Sequence, residues 1–313
     1  MSNGSETPAT HGWTRHRLNS GLIFRWTRSG VSRFPKRLSY AIGHVGTWIA
    51  WRMMPRMRMA VADNLRPIFP DESQRQLERR ALGTIRAYAC DVIDFLRALG
   101  ATAAENAGAF EVTDDGGRVF HDLLTQGRGI ILVTGHYGNW EIGSIVMRQQ
   151  FGLPLTVVAM PEVSDEVNRI RHEIREKLGV QTIEVRQSLD TPLRITRRLR
   201  ENGIVAMLMD RHTRRDRVDV SFLGRPAAFL RTPALMAYLT GAPLVPCFIE
   251  RIGAGRFSVR PGVPIVVARD GPREEAIQGA AQHFADQLGA RITAHPQFWY
   301  QFYGYWASQE PPA

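Results

Sequence analysis

The chain has 313 residues, 44% of them hydrophobic. That suits one large α/β domain with an extension, or two small domains, and it excludes wholesale disorder. The formal net charge is +10, and of the 40 basic residues only Lys36 and Lys177 are lysines, so the surface attracts phosphates on nucleic acid or on anionic lipid.

Residues 1–36 read as a basic arm with Arg15, Arg17, Arg25, Arg28 and Arg33, and its polar start offers no signal peptide. Residues 37–104 read as a helical, membrane-associating region. Its most membrane-like stretch is LSYAIGHVGTWIAWRMM, residues 38–54. That stretch carries His44 and Arg52 and falls short of the roughly 20 apolar residues of a spanning helix. Trp48 and Trp51 inside it, with arginines on both flanks, suit a helix lying in the membrane interface. A buried first helix of the domain fits the same residues. A turn at FPDES, with Asp71 or Ser73 as N-cap, starts the next helix. Along it Leu82, Ile85, Ala89, Ile93 and Leu96 recur at amphipathic spacing. Cys90 in this helix and Cys247 in a later apolar run read as buried thiols of a reducing compartment, too few for a disulfide framework or a metal site.

From residue 105 to 313 the texture changes. GIILVTG (129–135), LTVVAM (155–160), IVAMLMD (204–210) and LVPCFIE (244–250) are expected as central strands, apolar on both faces. TIEVR (182–186), VDVSFL (218–223) and RFSVR (256–260) alternate and suit edge or half-exposed strands. Helices are expected near 139–150, 164–178, 191–202, 231–241 and 272–292. The alternation predicts an α/β fold, a mixed, largely parallel sheet covered by helices.

In such sheets ligands bind beyond the carboxyl ends of the strands. His136 lies just past the first central strand, and Asn139 is placed to cap the helix that follows. Glu141, five positions on, would lie in that helix's first turn, able to reach back to His136. A carboxylate on one imidazole nitrogen leaves the other as a base. No serine or cysteine nucleophile accompanies the pair, so the nucleophile is expected from the substrate, most simply a hydroxyl. Gly135 and Gly138 permit close backbone approach, and N–H groups of the turn are placed to hold an oxyanion. A purely structural His–Glu pair capping a helix is the other reading of this spacing.

Downstream, Arg171 and Arg175 stand one turn apart on a helix, suited to a phosphate or carboxylate or to a solvated face. Asp210 ends a buried strand and is placed either to orient an arginine or to start the next turn. Phe222, Phe229 and Leu230 suit an acyl-chain groove or plain core.

His136-Tyr-Gly-Asn-Trp-Glu141 matches the His-x4-Asp/Glu signature of glycerolipid-type acyltransferases. Matches in order at RMRMAVADNLRPIFPD (56–71), GHYGNWE (135–141), REKLG (175–179), GIVAMLMDRH (203–212), VSFLGRPAAFLRTPALMAYLTGAPLVP (220–246) and HPQFW (295–299) extend the resemblance over residues 40–300. The chain thus resembles the late acyltransferases of lipid A biosynthesis. The resemblance implies a glycerolipid acyltransferase-like fold, His136 as general base and Glu141 as its partner. Arg175 and Asp210 become substrate-site residues, with Gly138, Asn139 and Arg171 beside them. It implies acyl carrier protein or acyl-CoA as donor, a glycolipid acceptor such as a lipid A precursor, and the cytoplasmic face of the bacterial inner membrane. Relatives in that branch acylate phosphatidylinositol mannosides or other glycolipids, which leaves the acceptor open. Two departures stand out: Asp210-Arg211 replaces the common Asp-Gln, and FWYQFYGYW lacks the usual basic, Trp-rich tail.

The expectation is an acyltransferase needing no metal or bound cofactor and acting at an anionic membrane surface, with no nucleic acid partner. The rival from another class is a non-catalytic, Arg-rich protein binding anionic membrane or nucleic acid. Its support is charge alone, without a nucleic-acid-binding signature. An α/β esterase would need a Gly-x-Ser-x-Gly elbow, which the chain lacks.

Overall fold

The computed structural model describes residues 34–99, 101–108, 110–112, 117–161, 165–185 and 190–307. Residues 1–33 of the basic arm, with Arg15 to Arg33, lie outside them.

Three helices lead the described chain: α1 (Lys36–Met53), α2 (Pro55–Leu65) and α3 (Gln74–Ala98). Ser73 N–H donates to Gln76 Oε1 at 2.8 Å, which makes Ser73, not Asp71, the N-cap of α3. A short helix α4 (Ala103–Ala107) and strand β1 (Phe110–Val112) follow, then α5 (Arg118–Leu124) and β2 (Ile130–Thr134). The chain continues through α6 (Trp140–Ile145), extended by a π turn at Val146–Gln150, and then β3 (Leu155–Ala159), α7 (Asp165–Lys177) and β4 (Gln181–Glu184). Next come α8 (Asp190–Arg200), β5 (Ile204–Leu208), β6 (Val218–Phe222), β7 (Arg225–Phe229) and α9 (Thr232–Thr240). Last are β8 (Leu244–Gly253), β9 (Arg256–Pro261) and α10 (Arg273–Ala294).

Seven strands form one sheet in the order β1-β9-β8-β2-β5-β3-β4. The run from β8 to β4 is parallel, while β9 is antiparallel to β8 and carries β1 parallel to itself. The mixed, largely parallel sheet is therefore present. Its central strands are apolar throughout because both faces are covered. Ile131 and Val133 of β2 point into a core with Ile195 and Leu199 of α8 and Phe284 and Leu288 of α10. Ile130 and Leu132 point the other way, against Ile142 and Ile145 of α6 and Phe120 of α5.

Three expectations are corrected here. VDVSFL is not a strand of the main sheet. It pairs antiparallel with β7, a strand not among those expected from the sequence, to form a separate two-stranded sheet. Phe222 and Phe229 do not line a groove: both are fully buried, packed on one another and, through Phe222, on Trp299. Cys247 is buried, but Cys90 is only half-buried, with Sγ 3.4 Å from His44 Nε2.

Helix α1 is inside out for a soluble domain. Ser39 and Thr47 are buried against the body, at 4% and 5% exposure, while Ile42, Val45 and Met53 stand 54%, 61% and 76% exposed, with Leu38, Trp48 and Ile49 beside them. Among the described residues, then, nothing buries the apolar face of α1. Among the described residues no helix is long and apolar enough to cross a membrane.

What fastens α1 and α3 to the sheet is a buried ionic cluster. Arg251 of β8 donates to Asp91 Oδ1 at 2.6 Å and lies 2.6 Å from Asp94 Oδ2, while Tyr40 of α1 donates to Asp94. Removing one partner leaves an uncompensated buried charge. Arg251→Met is therefore expected to destabilise the fold by about 3–5 kcal/mol in chemical denaturation, and an unchanged midpoint would show the cluster to be energetically silent.

Candidate active site

β2 and β5 lie side by side in parallel, with Ile130 opposite Ile204 and Thr134 opposite Leu208. Carrying that register two residues past the strand ends sets His136 opposite Asp210. The contact is made twice: His136 N–H donates to Asp210 Oδ2 at 2.8 Å, and His136 Nδ1 lies 2.7 Å from Asp210 Oδ1. Asp210 is fully buried, whereas the His136 side chain keeps 15% exposure. Nε2 of His136 has no protein partner among the described residues.

This corrects the expected pairing. The carboxylate on the imidazole comes from Asp210, not from Glu141. Glu141 lies in the first turn of α6, and its charge acts on His136 from a distance, in the direction that favours the protonated ring. Burial and the Arg211 charge oppose that effect and the pull of Asp210, and hold the His136 imidazole below its ordinary pKa. Burial pushes the Asp210 carboxyl up, but His136 and Arg211 outweigh it, so Asp210 stays below the usual carboxylate range. The pair is thus a neutral imidazole on a carboxylate, with Nδ1–H donating.

The closing segment 298–306 walls the pair. Tyr300 N–H donates to His136 O at 2.7 Å, and Gly138 N–H donates to Phe298 O at 2.9 Å. Gln301 Nε2 donates to Asp210 Oδ2 at 2.8 Å, and Tyr305 Oη donates to Asp210 O at 3.1 Å. Trp140 stands edge-on to His136, with ring centroids 5.3 Å apart. The segment is tied down by Asn64 of α2, which donates to Gln301 O and Tyr303 O and accepts from Tyr305 N–H. It is also tied by Asp91, which accepts from Tyr300 Oη at 2.6 Å. Sequence reasoning missed Asn64, Asp91, Tyr300 and Gln301. The only signal was that Asn64 and the closing aromatics fell within or beside stretches carrying the resemblance.

The other expected site residues divide. Gly138 and Asn139 belong to the loop but not as open donors: Asn139 N–H donates to Ile249 O at 2.9 Å, and its side chain caps Ile142 N–H and donates to Asp91 O. With the N–H groups of residues 136, 138 and 139 all bonded to protein oxygens, the expected oxyanion donors of the turn are largely taken. Arg175 lies in the last turn of α7. That helix joins β3 to the parallel strand β4. Arg171 is in the same helix, and its side chain lies outside the described residues. A cavity of about 580 Å³ lined by Thr156, His172, Arg194 and Arg198 lies at the β4 edge and shares no residue with the His136 site. Among the described residues no group of three or more His, Cys, Asp or Glu side chains is placed to hold a metal ion.

Gly138 has φ +60°, and a Cβ there would sit 2.0 Å from Ile249 O, a backbone atom with nowhere to go. Gly138→Ala should lower the melting temperature and abolish whatever chemistry the loop performs, and a variant that melts like wild type would mean that the loop adapts.

A model of the bacterial lipid A biosynthesis acyltransferase family matches residues 21–308. The chain is 29% identical over 186 residues to a phosphatidylinositol mannoside acyltransferase of Mycobacterium tuberculosis, covering 58% of this chain and 56% of that protein. It is 28% identical over 186 residues to the protein of that name from Mycolicibacterium smegmatis, covering 58% of each. The match thus spans little more than half the length of these curated relatives. The extent of the family match is decisive: the chain belongs to the bacterial lipid A biosynthesis acyltransferase family.

Proposed function

We propose that this member of the lipid A biosynthesis acyltransferase family is a membrane-associated O-acyltransferase, moving an acyl chain from a thioester to a hydroxyl of a glycolipid. The observation that carries the reading is the His136–Asp210 pair. Its imidazole has one nitrogen committed to a buried carboxylate and the other open, and no serine or cysteine side chain bonded to the ring among the described residues. Such a base needs a nucleophile from outside, and an acceptor hydroxyl supplies one.

In this mechanism His136 Nε2 takes the proton of the acceptor hydroxyl as its oxygen attacks the thioester carbonyl. The thiolate of the donor then leaves and recovers the proton from the imidazolium. Asp210 stabilises that imidazolium and fixes which nitrogen is basic. Glu141 adds negative charge from α6. The N–H of Trp140 opens α6 and has no backbone acceptor among the described residues, so it is the donor we assign to the oxyanion. The donor is acyl carrier protein or acyl-CoA. For the acceptor, the names of the relatives favour a phosphatidylinositol mannoside, and the family favours a lipid A precursor. The outward apolar face of α1 supports docking on an anionic membrane, which we place at the cytoplasmic face of the bacterial inner membrane. The alternative of an Arg-rich nucleic acid binder has only the charge in its favour.

Mass spectrometry of membrane lipids from cells with wild type or His136→Ala tests the reading. Wild type should produce a lipid heavier by one acyl chain. His136→Ala should stay folded and lose about 10²–10⁴-fold in rate, and more than about a tenth of wild-type activity would remove His136 as the base. Glu141→Gln should also fall in kcat while staying folded, by less than His136→Ala.

The pH dependence has a definite sign. The base works only unprotonated, and its proton affinity is depressed below the ordinary value of 6.5. The acidic limb of kcat/KM should therefore have its midpoint below 6.5, leaving activity flat through neutrality. A limb above that value would mean that Asp210 and Glu141 outweigh burial.

Membrane docking predicts that Ile42→Asp with Val45→Asp weakens sedimentation with phosphatidylglycerol vesicles by about tenfold or more. Equal binding by this variant would place the contact elsewhere.

A further inference from the structure

Arg211 follows Asp210 at the mouth of the site, and the mechanism above does not use it. Its guanidinium is held on one side only. Nε donates to Gln301 Oε1 at 3.1 Å, Nη2 reaches Tyr300 O at 3.4 Å, and Cζ lies 5.2 Å from the Tyr303 ring centroid. The same Gln301 holds Asp210 through Nε2, so the cation and the Asp210 carboxylate share one bracket. Among the described residues Nη1 has no acceptor and Arg211 forms no ion pair. Its charge nevertheless reaches the site, lowering the proton affinity of both His136 and Asp210. Arg214 and Arg215, exposed in the same loop, also form no ion pair among the described residues. A partly exposed cation, fixed in direction and lacking a counter-ion beside a base, is completed by an anion on the substrate.

We propose that Arg211 binds the phosphodiester of the acceptor headgroup and so selects a hydroxyl close to that phosphate. The proposal rests on the acyl-transfer reading for its choice of ligand. Both substrates carry phosphate: the acceptor glycophospholipid in its headgroup, and the donor, acyl carrier protein or acyl-CoA, at the far end of its pantetheine arm. On the donor, the phosphate is separated from the thioester by the whole pantetheine arm, so the two cannot both sit beside His136. On a phosphoinositide-type acceptor the phosphate is attached to the ring that bears the hydroxyls. Since the reacting hydroxyl must come within hydrogen-bond reach of Nε2, the phosphate near it belongs to the acceptor.

Titration calorimetry of wild type, Arg211→Gln and Arg211→Lys tests this, with thermal melts to confirm that each is folded. The probes are dihexanoyl phosphatidylinositol below its micelle concentration, neutral hexyl mannoside, and 4′-phosphopantetheine. Arg211→Gln should weaken the phosphatidylinositol about tenfold or more and Arg211→Lys by less, with hexyl mannoside nearly unaffected. In turnover the loss should appear in KM for the anionic acceptor more than in kcat. Wild type that does not bind the phosphatidylinositol, or equal losses for both acceptors, would overturn the assignment. A loss confined to phosphopantetheine would overturn it too, by placing the phosphate on the donor. Arg211-dependent binding without turnover of any acceptor would leave the anion site standing and remove the acyl-transfer reading instead.

Discussion

The Asp210 carboxylate grips residue 136 at both its backbone N–H and its imidazole, and the site depends on that double contact. The geometry follows from the parallel register of two adjacent strands. Each ends in a residue two positions past the last ladder pair, and the register that joins the strands joins those residues. A carboxylate buried this deeply must be fully bonded or it would protonate. Asp210 meets that demand with His136 N–H, His136 Nδ1 and Gln301 Nε2. The result is a weakly basic, neutral imidazole whose outer nitrogen has no protein partner among the described residues.

Distant parts of the chain secure that contact. Asp91 in α3 accepts from Tyr300 with its carboxylate and from Asn139 with its backbone carbonyl, so one residue braces the site loop and the segment that covers it. Arg251 compensates Asp91 and Asp94, and Asp94 receives Tyr40 of α1. A continuous chain of buried polar contacts therefore runs from the helix whose apolar face turns outward to the backbone of His136. Glu250 does similar work on the other flank, accepting from Tyr137 Oη at 2.7 Å and Arg291 Nε at 2.8 Å.

Much of this was legible in the sequence. Strands that are apolar on both faces announce a covered parallel sheet, and the carboxyl ends of two of them carried His136 and Asp210. The resemblance reached the family that residues 21–308 match. The partner of His136 was misread because Glu141 is near in sequence, whereas Asp210 is near only once β5 is known to lie beside β2, and strand order is not written locally. Asn64 and Asp91 escaped notice because an Asn or Asp in an amphipathic helix looks like ordinary solvated surface until the tertiary partners appear. Helix α1 shows the converse, since its composition allowed burial and only the packing revealed which way the apolar face turns.

The central claim is that Asp210 fixes His136 as the neutral tautomer protonated on Nδ1, with Nε2 basic and open. Nitrogen-15 correlation spectra of histidine-labelled protein, assigned with His136→Ala, read this directly, because the protonated and unprotonated ring nitrogens have distinct shifts. At neutral pH the account predicts a protonated Nδ1 and an unprotonated Nε2 for His136, with that preference lost in Asp210→Asn. A ring protonated on Nε2, or one carrying both protons at neutral pH, would contradict it.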